Sequence, residues 1–281
     1  MKSTHARGVA LVCASAIAFS TAGLFTKGVS ADAWVVIFWR GVSAALFTLG
    51  YAVLRGDFRN ELRRFRGAAT VATLLGASGT VAFIPAFKLT SIANVAMIWA
   101  SAPFITALLA WVLLRERPSR RVVLASCVAI VGVFVVVSGS FGGGTLLGDA
   151  LAFWMTLMIA GMMVLYRRWP DTPVLLPNAL TSIVLLPVAA WFSPPMQVIS
   201  LELMIMLAFG LVFALASVTF TMGARILPPA EAALLSVLET PLAPIWAFLL
   251  LSEIPTRAAM IGGMMIMAAL VWSQMRVRPA P

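Results

Sequence analysis

Apolar runs of roughly 20 residues, the length that crosses a hydrocarbon core about 30 Å thick, follow one another from end to end of this chain, and no feature restricts its fold more. Such runs sit at 8–26, 33–54, 67–87, 91–114, 120–138, 147–166, 174–192, 203–224, 230–251 and 257–275. Lipid offers no hydrogen-bond partners, so each run has to satisfy its backbone internally as a helix. The joints between runs are short and several carry breakers: Ser193-Pro194-Pro195, Pro228-Pro229 and Trp169-Pro170-Asp171. With 62% hydrophobic and 11% charged residues and a mean hydropathy of +1.01, no stretch is left for a soluble domain. The expected class is an all-α integral membrane protein with ten transmembrane helices.

The chain also repeats itself. Thr80 to Arg120 is written again as Ser217 to Arg257, 137 residues later: Thr80-Val81-Ala82-Phe83 answers Ser217-Val218-Thr219-Phe220, and Lys88 answers Arg225. Ala93 and Ala96 answer Ala230 and Ala233, and Glu116, Pro118, Ser119 and Arg120 fall on Glu253, Pro255, Thr256 and Arg257 without a gap. Gly8, Ala10 and Leu11 also resemble Gly148, Ala150 and Leu151, at an offset of 140. Matches at so nearly constant an offset imply an internal duplication, with halves at 1–141 and 142–281. Five spans per half is an odd number, so the second half enters the membrane upside down. Two inverted five-helix repeats around a central cavity suit a protein that presents one midplane site to either side. The Gly-rich segment from Gly139 to Gly148 reads as the joint between them.

The net charge of +10 belongs to topology rather than to a nucleic-acid surface, because the basic residues cluster in the joints. With the N-terminus cytoplasmic, the inner joints and ends hold Lys2, Arg7, Arg55, Arg59, Arg63, Arg64, Arg66, Arg115, Arg117, Arg120, Arg121, Arg167, Arg168, Arg225, Arg276 and Arg278. Only Lys27, Lys88 and Arg257 fall outside, with Arg40 inside a span. Both termini are therefore expected in the cytoplasm. The first run has the charge flank of a secretory signal, yet it is long enough to span and has a counterpart in the second half, so it is expected to stay in the mature protein. Cys13 and Cys127 lie inside apolar runs and read as buried thiols. His5 is the one histidine, which argues against His-based metal sites and His-dependent catalysis; no cofactor and no metal are expected.

Each half closes its fourth span with Leu-x-Glu-x-Pro-[Ser/Thr], as Leu114 to Ser119 and as Leu251 to Thr256. On that pattern, the ten spans and the five-plus-five repeat, the whole chain resembles the EamA type of the drug/metabolite transporter superfamily, and within it the bacterial aromatic and neutral amino-acid exporters. The resemblance implies a ten-helix basket whose cavity is lined mainly by the first, third, fourth, sixth, eighth and ninth spans. It also implies an inner-membrane exporter with a small-molecule substrate, lipid as surroundings and no nucleic-acid partner. The sequence leaves the oligomeric state open.

The candidate site lies in the middles of the two fourth-position spans. Pro103 interrupts one, and Pro241 and Pro244 the other, each freeing a backbone carbonyl that lipid cannot satisfy; matched interruptions in two repeats point to a transporter site, although curvature for packing explains them too. Glu239 lies about 14 Å along its span from Ala230, where a charge costs at least ~2.5 kcal/mol. Spacing puts Ser236, Glu239 and Thr240 on one helical face. Trp99 holds the corresponding place in the first half, so an aromatic wall would oppose an acidic one. Glu239 then accepts a substrate ammonium or carries a proton; the structural alternative is a hydrogen bond to a neighbouring span.

Thr80 and Phe83, echoed by Ser217 and Phe220, and Trp154 and Tyr166 in the sixth span complete the expected lining, against the alternative of core or interfacial aromatics. Arg40, about 10 Å into the second span, either snorkels to the interface, pairs with an acid or holds a substrate carboxylate. Ala10, Ala14, Ala18 and Ala22 form a face of small side chains suited to close packing. Met155, Met158, Met162 and Met163 line an adaptable path or belong to core and lipid contact.

Enzymatic readings are weaker. Gly76-Ala77-Ser78-Gly79 lacks a histidine within the membrane to activate its serine, and no Gly-Lys-[Ser/Thr] phosphate loop is present. The expected activity is that of a secondary transporter exporting neutral or aromatic amino acids, with drugs or other metabolites as the alternative cargo. A lipid- or quinone-handling membrane enzyme is the alternative of another class.

Overall fold

The structure is a computed structural model that describes residues 2–141, 143–224, 226–227 and 229–274. Arg225, Arg276 and Arg278 of the charge count lie outside the described residues, as do the side chains of Lys2, Ala230 and Ala233. The described residues form helices and no strand. In chain order these are α1 Lys2–Ser20, α2 Ala22–Lys27, α3 Ala33–Leu54, α4 Phe58–Arg64, α5 Gly67–Leu89, α6 Ile92–Trp99 and α7 Ala102–Leu114. They continue as α8 Arg120–Ser138, α9 Leu146–Arg168, α10 Leu175–Phe192, α11 Ser200–Ala224, α12 Pro229–Ser236, α13 Glu239–Leu251 and α14 Arg257–Gln274.

Eight stretches are long and apolar enough to cross a membrane: His5–Lys27 (α1 with α2), α3, α5, Ile92–Leu114 (α6 with α7), α8, α9, α10 and α11. The ninth and tenth runs of the sequence appear as α12 with α13 and as α14, of which Glu239–Leu251 and Arg257–Ser273 are apolar but shorter. Large apolar side chains face outward along these helices, Trp191 being 87% exposed and Leu46, Phe134 and Phe192 also exposed. In water this surface would drive aggregation; a hydrocarbon surround removes that cost.

Polar caps set several helix starts. The hydroxyl of Ser91 accepts from the Asn94 amide at 3.0 Å at the head of α6, Ser119 from Val122 at 3.3 Å at the head of α8, and Thr256 from Ala259 at 3.1 Å at the head of α14. Asp32 caps α3 through the Trp34 amide at 2.8 Å. Between α3 and α5 the short helix α4 spans the basic joint, and its Glu61 accepts from the Leu176 amide at 2.9 Å, capping α10 from a distance.

The helices pack in pairs across the chain: α1 on α11, α5 on α9, α3 on α10, α8 on α14 and α6 on α13. One apolar core gathers Ile92, Val95, Ile98 and Ala100 with Val136, Met155, Ala243 and Ile266; another gathers Val36, Ile37, Ile84, Leu185, Met206 and Phe209. Where α8 crosses α14 the backbones touch, because a Cβ on Gly262 would strike the Gly132 carbonyl oxygen.

The alanine face expected on the first span packs only in part: Ala22 is buried and Ala18 half-buried, but Ala10 and Ala14 are exposed, whereas Gly8, Val12, Ser15 and Ala16 are buried, and Ser15 donates to the Ala216 carbonyl of α11 at 2.9 Å. Small residues at a four-residue spacing permit close approach, but the hydroxyl and the larger Val12 gain more by facing protein than alanines do. Cys127, expected buried, is exposed on the outside of α8, which a thiol tolerates in an apolar surround.

Candidate functional site

Two helices of the bundle are broken near their middles, and at corresponding places. The first runs from α6 into α7 through a turn at Ala100–Ser101, the second from α12 into α13 through a turn at Val237–Leu238; these turns are 137 residues apart, the offset of the duplication. Tight bonds close both: the Ser101 amide donates to the Ile98 carbonyl at 3.1 Å, and the Leu238 amide to the Leu235 carbonyl at 3.2 Å. The prolines follow the breaks rather than occupying them, with Pro103 second in α7, Pro241 third in α13 and Pro244 within it. A proline is tolerated in a first helical turn because no intrahelical acceptor awaits its missing N–H. Val237, whose carbonyl Pro241 cannot reach, instead accepts from the Thr240 amide at 3.0 Å.

The correspondence reaches the helix ends. Arg115 and Ser252, again 137 apart, both end their helices in the left-handed region, at φ 58° and 54°. The next amides, of Glu116 and Glu253, donate back to the carbonyls of Ala110 and Ala247. The two glutamates then make matching ion pairs. Glu253 binds Lys27, the last residue of α2, at 2.6 Å, and its other oxygen accepts from the Ile92 amide at the head of α6. Glu116 takes Arg167 of α9 in a two-pronged contact, at 2.7 Å to Nη2 and 3.2 Å to Nε. The Lys27–Glu253 side chains are 24% and 19% exposed, those of Arg167–Glu116 64% and 44%.

The expected lining residues occupy several places. Trp99 ends α6, half-buried, and packs with Phe83 of α5 against the core that holds Ile98 and Ala243. Ser236 closes α12 and Glu239 opens α13, so the turn lies between them and they do not share a continuous helical face. Both are half-buried, and Thr240 is buried. Because α6 packs on α13, Trp99 and the Ser236–Thr240 stretch come from neighbouring helices. Thr80 is half-buried on α5. Trp154 of α9 is 47% exposed and donates from Nε1 to the Ser78 hydroxyl at 3.0 Å. Tyr166 lies half-buried near the other end of α9.

Arg40 corrects the sequence reading in two respects. It does not snorkel, being 4% exposed, and it pairs with no acid: all ten acidic residues are described, and none is within 4.0 Å of it. Its guanidinium sits instead among three rings, 4.3 Å from the centre of Phe213, 5.1 Å from Phe209 and 5.6 Å from Phe83. Those rings are held by a second row: Phe25 stacks on Phe209 at 5.3 Å, Phe19 meets Phe213 edge-on at 5.3 Å, and Phe87 meets Phe83 edge-on at 5.0 Å. Gly210 makes this possible. A Cβ there would collide with the Arg40 carbonyl and the Ser43 hydroxyl, so only glycine lets α11 close on α3 and bring Phe209 and Phe213 to the arginine. The Arg40 Nε has no hydrogen-bond partner. The sequence showed an arginine within a span, but which groups surround it depends on two other helices, α5 and α11.

A second buried polar group joins α6, α8 and α9. Asp149, 1% exposed, accepts from the Thr90 hydroxyl at 2.6 Å, from the Asn94 amide at 3.0 Å and from the Ser140 hydroxyl. A cleft of about 280 Å³ opens beside α4, with Tyr51, Arg55, Glu61, Arg64, Asp171 and Thr221 among its walls.

Residues 6–138, a little under half of the chain, match the model of the EamA-like transporter family, which supports the resemblance to the EamA type of drug/metabolite transporter. No curated protein matches the chain. Among the chains of solved structures that match, one crystal structure superposes with a TM-score of 0.67 at 16% identity, over 94% of this chain and 95% of that one. At that identity the likeness is one of fold.

Proposed function

We propose that this chain is a secondary transporter of the drug/metabolite type that exports neutral or aromatic amino acids from a bacterial cell by alternating access. In this reading ten spans form two inverted repeats, residues 1–141 and 142–281, around a midplane cavity, in the inner membrane with both termini cytoplasmic. The observation that carries it is the pair of helix breaks at Ala100–Ser101 and Val237–Leu238. Broken helices at one depth in two repeats supply the unsatisfied backbone and the hinge that a solute site between rocking halves needs. The packing supports the same symmetry: exchanging first and sixth, third and eighth spans turns the α1–α11 contact into the α9–α5 contact, while α3–α10, α6–α13 and α8–α14 map onto themselves.

Trp99, Thr80, Phe83, Trp154 and Tyr166 supply apolar walls with polar edges, and Ser236, Glu239 and Thr240 the polar side. Proteoliposomes loaded with labelled phenylalanine, tryptophan, leucine and alanine test the reading: efflux above empty vesicles is expected for the aromatic members at least, and none for any of the four overturns the amino-acid assignment. Broad competition by uncharged, chemically unrelated solutes would instead favour export of drugs or other metabolites, which the largely aromatic lining also suits. Glu239→Gln separates the coupling modes. If Glu239 carries a coupled proton the variant loses the pH dependence of flux, and a retained dependence removes Glu239 from that role.

A further inference from the structure

The Arg40 guanidinium is a buried cation with no anion. Removing such a group from water is costly even after relaxation. Three ring faces return part of that cost, but they take up none of the five N–H donors of the fork as a carbonyl or carboxylate oxygen would. The other charged side chain buried as deeply among the described residues, Asp149, has three hydrogen-bond donors around it. No acceptor lies within hydrogen-bond distance of the Arg40 Nε, so the protein holds an unpaired donor among three aromatic rings.

We propose that Arg40 is the anion clamp of the transport site and that it takes the carboxylate of an aromatic monocarboxylate, an inference that rests on the transporter reading. A planar carboxylate matches the guanidinium fork in a two-bond contact. Phe83, Phe209 and Phe213 turn toward the guanidinium and make its surroundings apolar, which suits a ring-bearing solute, and Phe83 packs on the same core as Trp99. The depths agree. Arg40 is seven residues from the head of α3 and Trp99 seven from the head of α6, about 10 Å in each case, on what the charge count makes the outer side. A carboxylate docked there neutralises the guanidinium locally, so the occupied arginine costs less to keep buried than the bare one; a zwitterion adds an ammonium that must then face a polar group or water.

The test uses the full chain in lipid nanodiscs and three probes of one skeleton: phenylalanine, phenylacetate, which lacks the amine, and phenethylamine, which lacks the carboxylate. Binding is read by fluorescence titration and by the shift in thermal unfolding. Phenylalanine and phenylacetate are expected to bind, and phenethylamine at least about thirtyfold more weakly. Arg40→Gln should abolish that discrimination, and Arg40→Lys should keep it at reduced affinity. Equal binding of phenethylamine and phenylalanine to the native chain overturns the proposal, as does undiminished phenylalanine binding to Arg40→Gln, or binding of none of the three.

Should Arg40→Gln fail to fold, the probe series on the native chain and Arg40→Lys decides. Flux measured separately keeps the two ideas apart. Carboxylate-selective binding without transport leaves the clamp and removes the transporter, whereas transport without carboxylate preference removes the clamp alone.

Discussion

Among the described residues, two that are not glycine adopt a backbone conformation that side chains enter at a cost. Arg115 and Ser252 have φ values of 58° and 54° at the ends of α7 and α13, where the left-handed turn costs an L-residue roughly 1–2 kcal/mol. Ser252 is exposed, so Ser252→Gly relieves the strain without removing a buried contact. Its thermal unfolding midpoint in detergent is expected to rise, by the equivalent of up to about 1 kcal/mol; the reverse change at Gly56, whose φ is 72°, should lower it. A lower midpoint for Ser252→Gly would show that the serine earns its place by a contact. Neither conformation was legible in the sequence, since Leu-x-Glu-x-Pro carries no glycine to announce a left-handed cap. The repeat did flag the two positions as equivalent. At Arg40 the sequence allowed three fates; its burial removes snorkelling, and the positions of the ten carboxylates remove pairing with an acid.

At the scale of helices the apolar runs were the reliable guide. The run 33–54 is α3, and 120–138 is α8, because membrane length and the need to close every backbone bond leave little freedom at a helix boundary. Faces were less legible. The alanines of the first span looked like an interface and two of them face outward, since side-chain size alone does not say which side of a helix meets protein. The sequence set the breaks at Pro103, Pro241 and Pro244; the turns lie before Pro103 and Pro241, each in the first turn of the second segment, and Pro244 stays within α13.

Close helix crossings give a sharper expectation. A Cβ on Gly262 would meet the Gly132 carbonyl and, at 2.9 Å, the Val136 amide nitrogen, both backbone; one on Gly263 would meet the thioether end of Met97. Backbone cannot yield, whereas a methionine can turn aside. Gly262→Ala is therefore expected to destabilise by about 1–3 kcal/mol and Gly263→Ala by clearly less, measured as unfolding midpoints of the two variants side by side. Equal losses would mean that α14 shifts as a body.

For the molecule as a whole, the two glutamate ion pairs each join a residue of 1–141 to one of 142–281. The exchange that carries Glu116 to Glu253 also carries Lys27 to Arg167, with offsets of 137 and 140 residues, as the proposed inverted repeat would require. Their strengths differ. The Lys27–Glu253 pair is the less exposed, and Glu253 also caps α6 through the Ile92 amide, whereas the Arg167–Glu116 pair lies open to water, where screening leaves about 0–1 kcal/mol. Under the proposed alternating access, the end tied by the stronger pair would be the closed one, the end that the charge count places outside.

Removing each tie should then have unequal consequences. In a chain carrying Cys13→Ser and Cys127→Ser, a cysteine placed at Ser236 reports access to the break between α12 and α13 through its labelling by a membrane-impermeant maleimide. Glu253→Gln, which keeps the shape but loses the charge-assisted bond, worth about 1.5–3 kcal/mol, is expected to raise labelling from the Lys27 side about tenfold or more. Glu116→Gln should change labelling from the other side by less than about fivefold, because a pair worth 1 kcal/mol at most shifts a two-state balance by no more than that. Equal responses to the two substitutions would contradict the ranking of the pairs, and no response to either would show that the ties hold helices together without governing which end is open.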